Sequence, residues 1–258
     1  MAPLPALFVS HGSPMLALQD SPARRFLEGL GASLPRPKAI LAVSAHWETA
    51  GGPAVSLAAQ PETIHDFGGF PRALFEMRYP APGAPGVAER AAALLEAASI
   101  PVGRSGTRGL DHGAWVPLRL MYPDAAIPVA QLSIVRGATP AEHERIGRAL
   151  APLREEGVLI LASGSLTHNL YEFRGQAVDA PAPQWVSEFG AWIKARLDAD
   201  DRAALLDYRQ AAPFARENHP TDEHLLPLFV ALGAGGHATR LHTSFEHGVL
   251  AMDAYSFD

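Results

Sequence analysis

Three histidines of this chain stand in the same kind of place. His11 follows the apolar run Ala6–Ser10 in "PALFVSHGSPMLAL", His46 ends a second run in "AILAVSAHWET", and His168 lies just past a third in "VLILASGSLTHNL". Near-continuous apolar runs of this length read as strands buried on both faces. In open α/β sheets, ligand sites lie beyond the carboxyl ends of the strands. Parallel strands would therefore bring the three imidazoles to one rim. Taken singly, each is an ordinary hydrogen-bonded histidine at a sheet edge; in three equivalent places they call for a common role. Convergent neutral imidazoles make a metal site. The chain has no cysteine, so the ion would be Fe(II), Zn(II), Mn(II) or similar.

Two further histidines are candidates. His224 in "ENHPTDEHLLPL" falls in the first turn of a helix expected to start at Thr221, where the positive helix end disfavours an imidazolium and leaves the ring free for metal. His112 in "DHGAWVPL" reads as part of a tight loop, either as an acid/base group or as a turn residue capping a carbonyl. His143 sits on an amphipathic pattern and is expected to be solvated. His237 reads as a loop residue and His242 as part of the last strand. His65, His219 and His247 lie near Pro, Gly or acidic residues, and their spacing assigns them nothing. "ASGSLTH" lacks the glycine of a serine-hydrolase elbow. No Gly-x-Gly-x-x-Gly or Walker lysine pattern occurs.

The elements that must position these residues alternate in type. Strands are expected over Ala6–Ser10, Ala39–Ala45, Ile127–Ile134, Val158–Ala162 and Thr239–Phe245. Between them lie helical patterns: "DSPARRFLEGLG" with Ser21 as cap, "GVAERAAALLEAA", "TPAEHERIGRALAPL" with a capping box at Thr139 and Glu142, "PQWVSEFGAWIKARL" and "TDEHLLPLFVALGAGG". Alternating strands and helices predict an α/β fold, with a mostly parallel central sheet flanked by helices and the metal site at the strands' carboxyl ends. "TIHDFGGFPRALFEMRYPAPGAPG" and "GTRGLDHGAWVPLRLMYPDAA" read as long loops, which are often functional.

The 258 residues, 48% hydrophobic, suffice for one sizeable core. With no repeat, linker or low-complexity tract, residues 1–258 read as one catalytic domain. Net charge is -6 without a Lys/Arg block, which argues against nucleic acid or an anionic membrane as partner. The N-terminal apolar stretch has no preceding basic region and is broken by His11 and Pro14. It predicts neither a signal peptide nor a membrane span, so the expected location is cytoplasmic. Nothing in the sequence marks an oligomer interface.

Seven segments then occur in order: "FVSHGSPM", "AVSAHWET", "TIHDFGGFPRALFEMRYPAPG", "GLDHGAWVPL", "ASGSLTHNL", "NHPTDEHLLPLFVALGA" and "SFEHGVLAMDAY". Together they resemble the class III extradiol ring-cleavage dioxygenases, in the DODA-type (4,5-DOPA extradiol dioxygenase-like) branch of the LigB superfamily, from about residue 6 to the C-terminus. The resemblance implies non-haem Fe(II), a small aromatic diol of the catechol type and O2. It implies His11 and His46 as metal ligands. His224 stands where better-known members of the superfamily have a glutamate ligand, which leaves the set without negative charge. It also implies that His168 is either a fourth ligand, to zinc, or an acid/base beside the metal, and that His112 is a polar contact to substrate or oxygen. Two other functions compete. One is a zinc-dependent hydrolase with a metal-activated water, for which Glu48, Glu223 or His168 would be the base. The other is a non-catalytic metal-binding module, which has no need of His112, His168 and two aromatic-rich loops besides its ligands.

Overall fold

The apolar runs that lead to histidines pair side by side. In a computed structural model of the chain, which describes residues 3–258, four buried strands run parallel: β1 (Ala6–Ser10), β2 (Ala39–Thr49), β5 (Val129–Val135) and β6 (Val158–Gly164). Short strands β3 (Ala54–Ser56) and β4 (Gly103–Ser105) extend one edge, and β7 (Ala238–His242) and β10 (Ala254–Phe257) the other. The sheet order is β4-β3-β5-β2-β6-β1-β10-β7. β10 runs antiparallel to both β1 and β7, and β3 meets β5 antiparallel. A small ribbon of β8 (Phe245–Glu246) and β9 (Leu250–Ala251) stands apart from the sheet.

Alternation along the strands builds two apolar layers. Ala6 and Phe8 of β1 face a core shared with the helices Pro85–Ala97, Pro140–Leu150, Gln184–Asp198 and Leu226–Ala234. Leu7 and Val9 face the other core, under Pro22–Ser33 and His112–Met121. The result is a single α/β domain with a mostly parallel central sheet covered on both faces. The caps expected at Ser21 and Thr139 form, the second as a full capping box with Glu142. Among the described residues no helix is long and apolar enough to cross a membrane.

Several local expectations are corrected. The segment around His112 is not a loop but the helix His112–Met121, capped by the Asp111 side chain accepting from Ala114 N. Pro117 inside it removes the N–H that would serve the Gly113 carbonyl. The Ser163 hydroxyl donates to that carbonyl instead, at 2.5 Å. β2 does not stop at Ala45 but runs on to Thr49 through a bulge: Ser44 pairs Ser133, and the next pair is Glu48 with Ile134. The last helix begins at Leu226 rather than Thr221, because the Asp222 carbonyl accepts from Leu225 N and Leu226 N and supplies the first turn. His143 is fully buried rather than solvated. Its Nδ1 donates to the Thr139 carbonyl (2.9 Å) and its Nε2 accepts from Val135 N (3.1 Å), tying a helix to the end of β5. The strand expected over Thr239–Phe245 ends at His242, and the chain returns through β8, β9 and β10.

Candidate metal centre

His11 leaves β1 at its carboxyl end, where Gly12 turns the chain at φ +59°. A side chain on Gly12 would meet the Met252 methyl at 2.6 Å, so the turn needs glycine. His46 projects from the bulge in β2. A bulge leaves extra residues unpaired and re-aims a side chain, and here it aims His46 toward His11. His224 is held from behind: its carbonyl accepts from Ser165 N at 2.8 Å, just past β6. Gly164 makes room for this, since a Cβ there would lie 2.1 Å from the same carbonyl. Three distant segments thus present three rings to one point.

The geometry at that point suits an ion. His46 Nε2 lies 3.0 Å from His11 Nε2 and 3.3 Å from His224 Nε2. Two nitrogens about 2.1 Å from one ion, at angles of about 90–110°, are about 3.0–3.4 Å apart. The opposite edges of the rings are spoken for. His11 Nδ1 donates to Ser163 Oγ at 3.0 Å, and His224 Nδ1 to Glu223 Oε1 at 2.8 Å. His46 Nδ1 faces Asp66 Oδ2 at 3.6 Å. Protons placed at Nδ1 leave three Nε2 lone pairs facing one another with no hydrogen between them, an arrangement a cation relieves. Burial disfavours the imidazolium form in all three, and the neighbouring histidines add to it. His11 and His224 fall well below the ordinary histidine value, and His46 falls to about 3.

His168 and His112 flank this trio without joining it. The His168 ring stacks on that of His224, centroids 3.5 Å apart and planes 9° from parallel. Its nearest grouping of potential ligand atoms is with Glu223 and His224, not with His11 and His46. Burial lowers its pKa to about 4, with His112 adding to the effect and Glu223 opposing it. His112 starts its helix beside His46, ring centroids 3.9 Å apart. Both its Nδ1 and its backbone N–H donate to Asp66 Oδ1 at 3.0 Å. Of the other acidic candidates, Glu223 is engaged with His224, and Glu48 turns away to Arg136 at 3.4 Å. His247 lines the same cavity. His219 is core: buried, with Nε2 donating to the Leu166 carbonyl at 2.9 Å. His65 pairs with the Met77 carbonyl, and His242 stacks on Phe26.

Two carboxylates escaped the sequence reading. Asp66 sits in the expected loop "DFGGFP" and serves both His112 and His46. Asp111 is fully buried and accepts from Ser44 Oγ (2.6 Å), Arg108 (2.6 Å), Gln131 Nε2 and Ala114 N. It joins the bulge that carries His46 to the helix start that carries His112. Asp111→Ala is expected to cost about 3 kcal/mol, because it strands a guanidinium and an amide that lose their acceptor. The expected signature is a lower urea midpoint at unchanged slope; an unshifted midpoint would show that the network contributes nothing.

The five candidate histidines, together with His247, open onto one cavity of about 400 Å³, within the usual range for small-ligand sites. Comparison with known proteins adds to this geometry. The family model described as the catalytic LigB subunit of aromatic ring-opening dioxygenase matches residues 5–256. A Beta vulgaris protein named 4,5-DOPA dioxygenase extradiol is 42% identical over 257 residues, covering 97% of this chain and 95% of that one. An Escherichia coli K12 protein of the same name is 44% identical over 234 residues, covering 90% and 85%. A crystal structure of an uncharacterised E. coli K12 protein superposes with a TM-score of 0.82 at 38% identity, covering 99% of this chain and all of the other. These named relatives are dioxygenases, and nothing in them supports a hydrolase.

Proposed function

Because the chain belongs to the LigB family of aromatic ring-opening dioxygenases, and is by that membership an extradiol ring-cleaving enzyme, we propose that it opens a catechol-type ring with O2 at a non-haem Fe(II) held by His11, His46 and His224. The observation that carries the assignment is the trio of Nε2 atoms, 3.0 and 3.3 Å apart. When bound, iron supplies the redox-active centre at which a catechol and O2 meet. Zn(II) suits the same nitrogens, but it has no redox chemistry; we therefore assign iron to activity.

The chain's own residues do the rest. Ser163 and Glu223, by taking the Nδ1 protons of His11 and His224, fix which nitrogen each ring offers. His168, stacked beside that trio and opening onto the cavity, is neutral near pH 7 and takes the proton a catechol hydroxyl gives up. His112, with Nδ1 committed to Asp66, turns Nε2 to the cavity as the second polar contact, for substrate or oxygen. Phe67 packs edge-on to the His112 ring at 5.6 Å and lines the cavity beside it.

The test is oxygen uptake by anaerobically iron-reconstituted protein offered a panel of catechols. One O2 is expected to be consumed per ring opened, with both atoms of isotopically labelled O2 in the product. Zinc-loaded protein is expected to be inactive. No uptake with any catechol, in protein that retains iron, would overturn the reading.

A further inference from the structure

The trio of imidazoles brings no negative charge to the ion it suits, yet two carboxylates stand directly behind it. Glu223 Oε1 accepts from His224 Nδ1 at 2.8 Å, and Asp66 Oδ2 lies 3.6 Å from His46 Nδ1. Their side chains are only 22% and 24% exposed. Among the described residues neither has a Lys or Arg nitrogen within 4.0 Å, and the groups that face them are histidines of the site. Other carboxylates at this end of the sheet are matched: Asp111 pairs with Arg108 at 2.6 Å, and Glu48 with Arg136 at 3.4 Å. A carboxylate held largely out of water without a cation is unfavourable. Two of them behind one cluster of neutral rings call for positive charge at that cluster.

Local backbone fixes both carboxylates in place. Glu223 directly precedes His224, in the turn where the Asp222 carbonyl accepts from Leu225 N and Leu226 N. Asp66 stands two residues after Ile64, whose N–H donates to the Leu110 carbonyl at 2.8 Å and whose own carbonyl accepts from Trp115 Nε1 at 2.9 Å. The second oxygen of Asp66 takes both donors of His112. The carboxylate therefore cannot swing away from His46 without releasing them.

Resting on the reading above, in which the trio holds the metal, we infer that Glu223 and Asp66 supply the two negative charges that match a divalent cation there, and that their charge, not their hydrogen bonds alone, sets how tightly the trio binds it. Accepting a hydrogen bond only fixes a tautomer, and a neutral amide oxygen does that as well. A charge does more. Through the ring it raises the basicity of the nitrogen on the far edge. In a partly water-excluded site its field on a cation is also screened far less than in solvent. Replacing acid by amide separates the two effects.

The experiment titrates metal-free protein with Zn(II) in competition with a chromogenic chelator, so turnover plays no part in the reading. Glu223→Gln and Asp66→Asn are each expected to weaken Zn(II) binding by about 10–100-fold. Glu223→Ala, which loses the hydrogen bond as well as the charge, is expected to bind no better than Glu223→Gln. Glu48→Gln removes a carboxylate that Arg136 already matches, and its affinity is expected to stay within about threefold of wild type. Urea unfolding of the metal-free variants shows that each is folded, and two amide variants at separate positions give two independent readings. Failure of the wild-type protein to bind Zn(II) overturns the metal trio itself, and with it the ring-cleavage reading. Wild-type binding with either amide variant within about threefold of it overturns this inference alone. An equal loss in Glu48→Gln also overturns it, because the effect would then belong to charge anywhere on the rim.

Discussion

His46→Ala is expected to yield folded protein that loses iron on dialysis and consumes no oxygen with any catechol. The expectation rests on how much of the site passes through this ring: its Nε2 is the atom that lies 3.0 Å from one partner nitrogen and 3.3 Å from the other. Replacing a group that only orients a ligand costs about 10–100-fold in metal affinity. Removing the ligand itself must cost more, which is enough to empty the site under dialysis. Elemental analysis reads the metal and an oxygen electrode the turnover. A second measurement separates lost iron from lost structure. Without metal, three rings, two of them buried, face one another with lone pairs opposed, so removing one relieves the folded state. Metal-free His46→Ala should therefore unfold at a denaturant concentration no lower than metal-free wild type. Retention of iron at the wild-type level would remove His46 from the ligand set.

His168→Ala is expected to behave in the opposite way, keeping most of its iron while turnover falls by ~10²–10⁴-fold, the usual contribution of a positioned acid/base group. The His168 ring stacks against the face of His224 and is not grouped with the other two ligand nitrogens, so its loss leaves the trio intact. It also leaves Phe67 and Phe70 in the lining of the cavity untouched, so KM for a catechol should move far less than kcat. Parallel metal analysis and steady-state kinetics decide the matter. If iron disappears together with turnover, His168 is a fourth ligand, and His112 with its Asp66 partner becomes the leading acid/base.

The parts that were legible in the sequence are those where one residue type has one physical meaning. Apolar runs marked β1, β2, β5 and β6, because strands buried on both faces admit little else. Histidines at their ends gave His11 and His46; His224 was noticed as part of a helix start that in fact lies just after it, at Leu226. What the sequence hid were positions set by partners far along the chain. The helix His112–Met121 read as a loop, and the hydroxyl that serves the carbonyl freed by Pro117 comes from Ser163, in another element. His143 looked solvated because its helix is amphipathic, yet both ring nitrogens are occupied by backbone. Asp66 and Asp111 lay unmarked in two segments read as loops, because side-chain networks leave no periodicity to read. The bulge in β2 is invisible for the same reason: register is a property of two strands, and only one is on the page at a time.

Pro117 links the helix to the histidine trio in a way that composition would not suggest. It leaves the Gly113 carbonyl without its helical donor; the Ser163 hydroxyl turns to fill that need, and in doing so offers its oxygen to His11 Nδ1. A defect in one helix thus sets the tautomer of His11, in another element. The usual recipe for stabilising a protein would replace such a proline with alanine and mend the helix. Here the mended helix would compete for the carbonyl, free the serine to rotate, and release His11 from the tautomer that presents Nε2. Thermostability gained at this position would be taken from the preorganisation of the metal site, and a library selected on heat resistance alone would drift toward robust, idle protein.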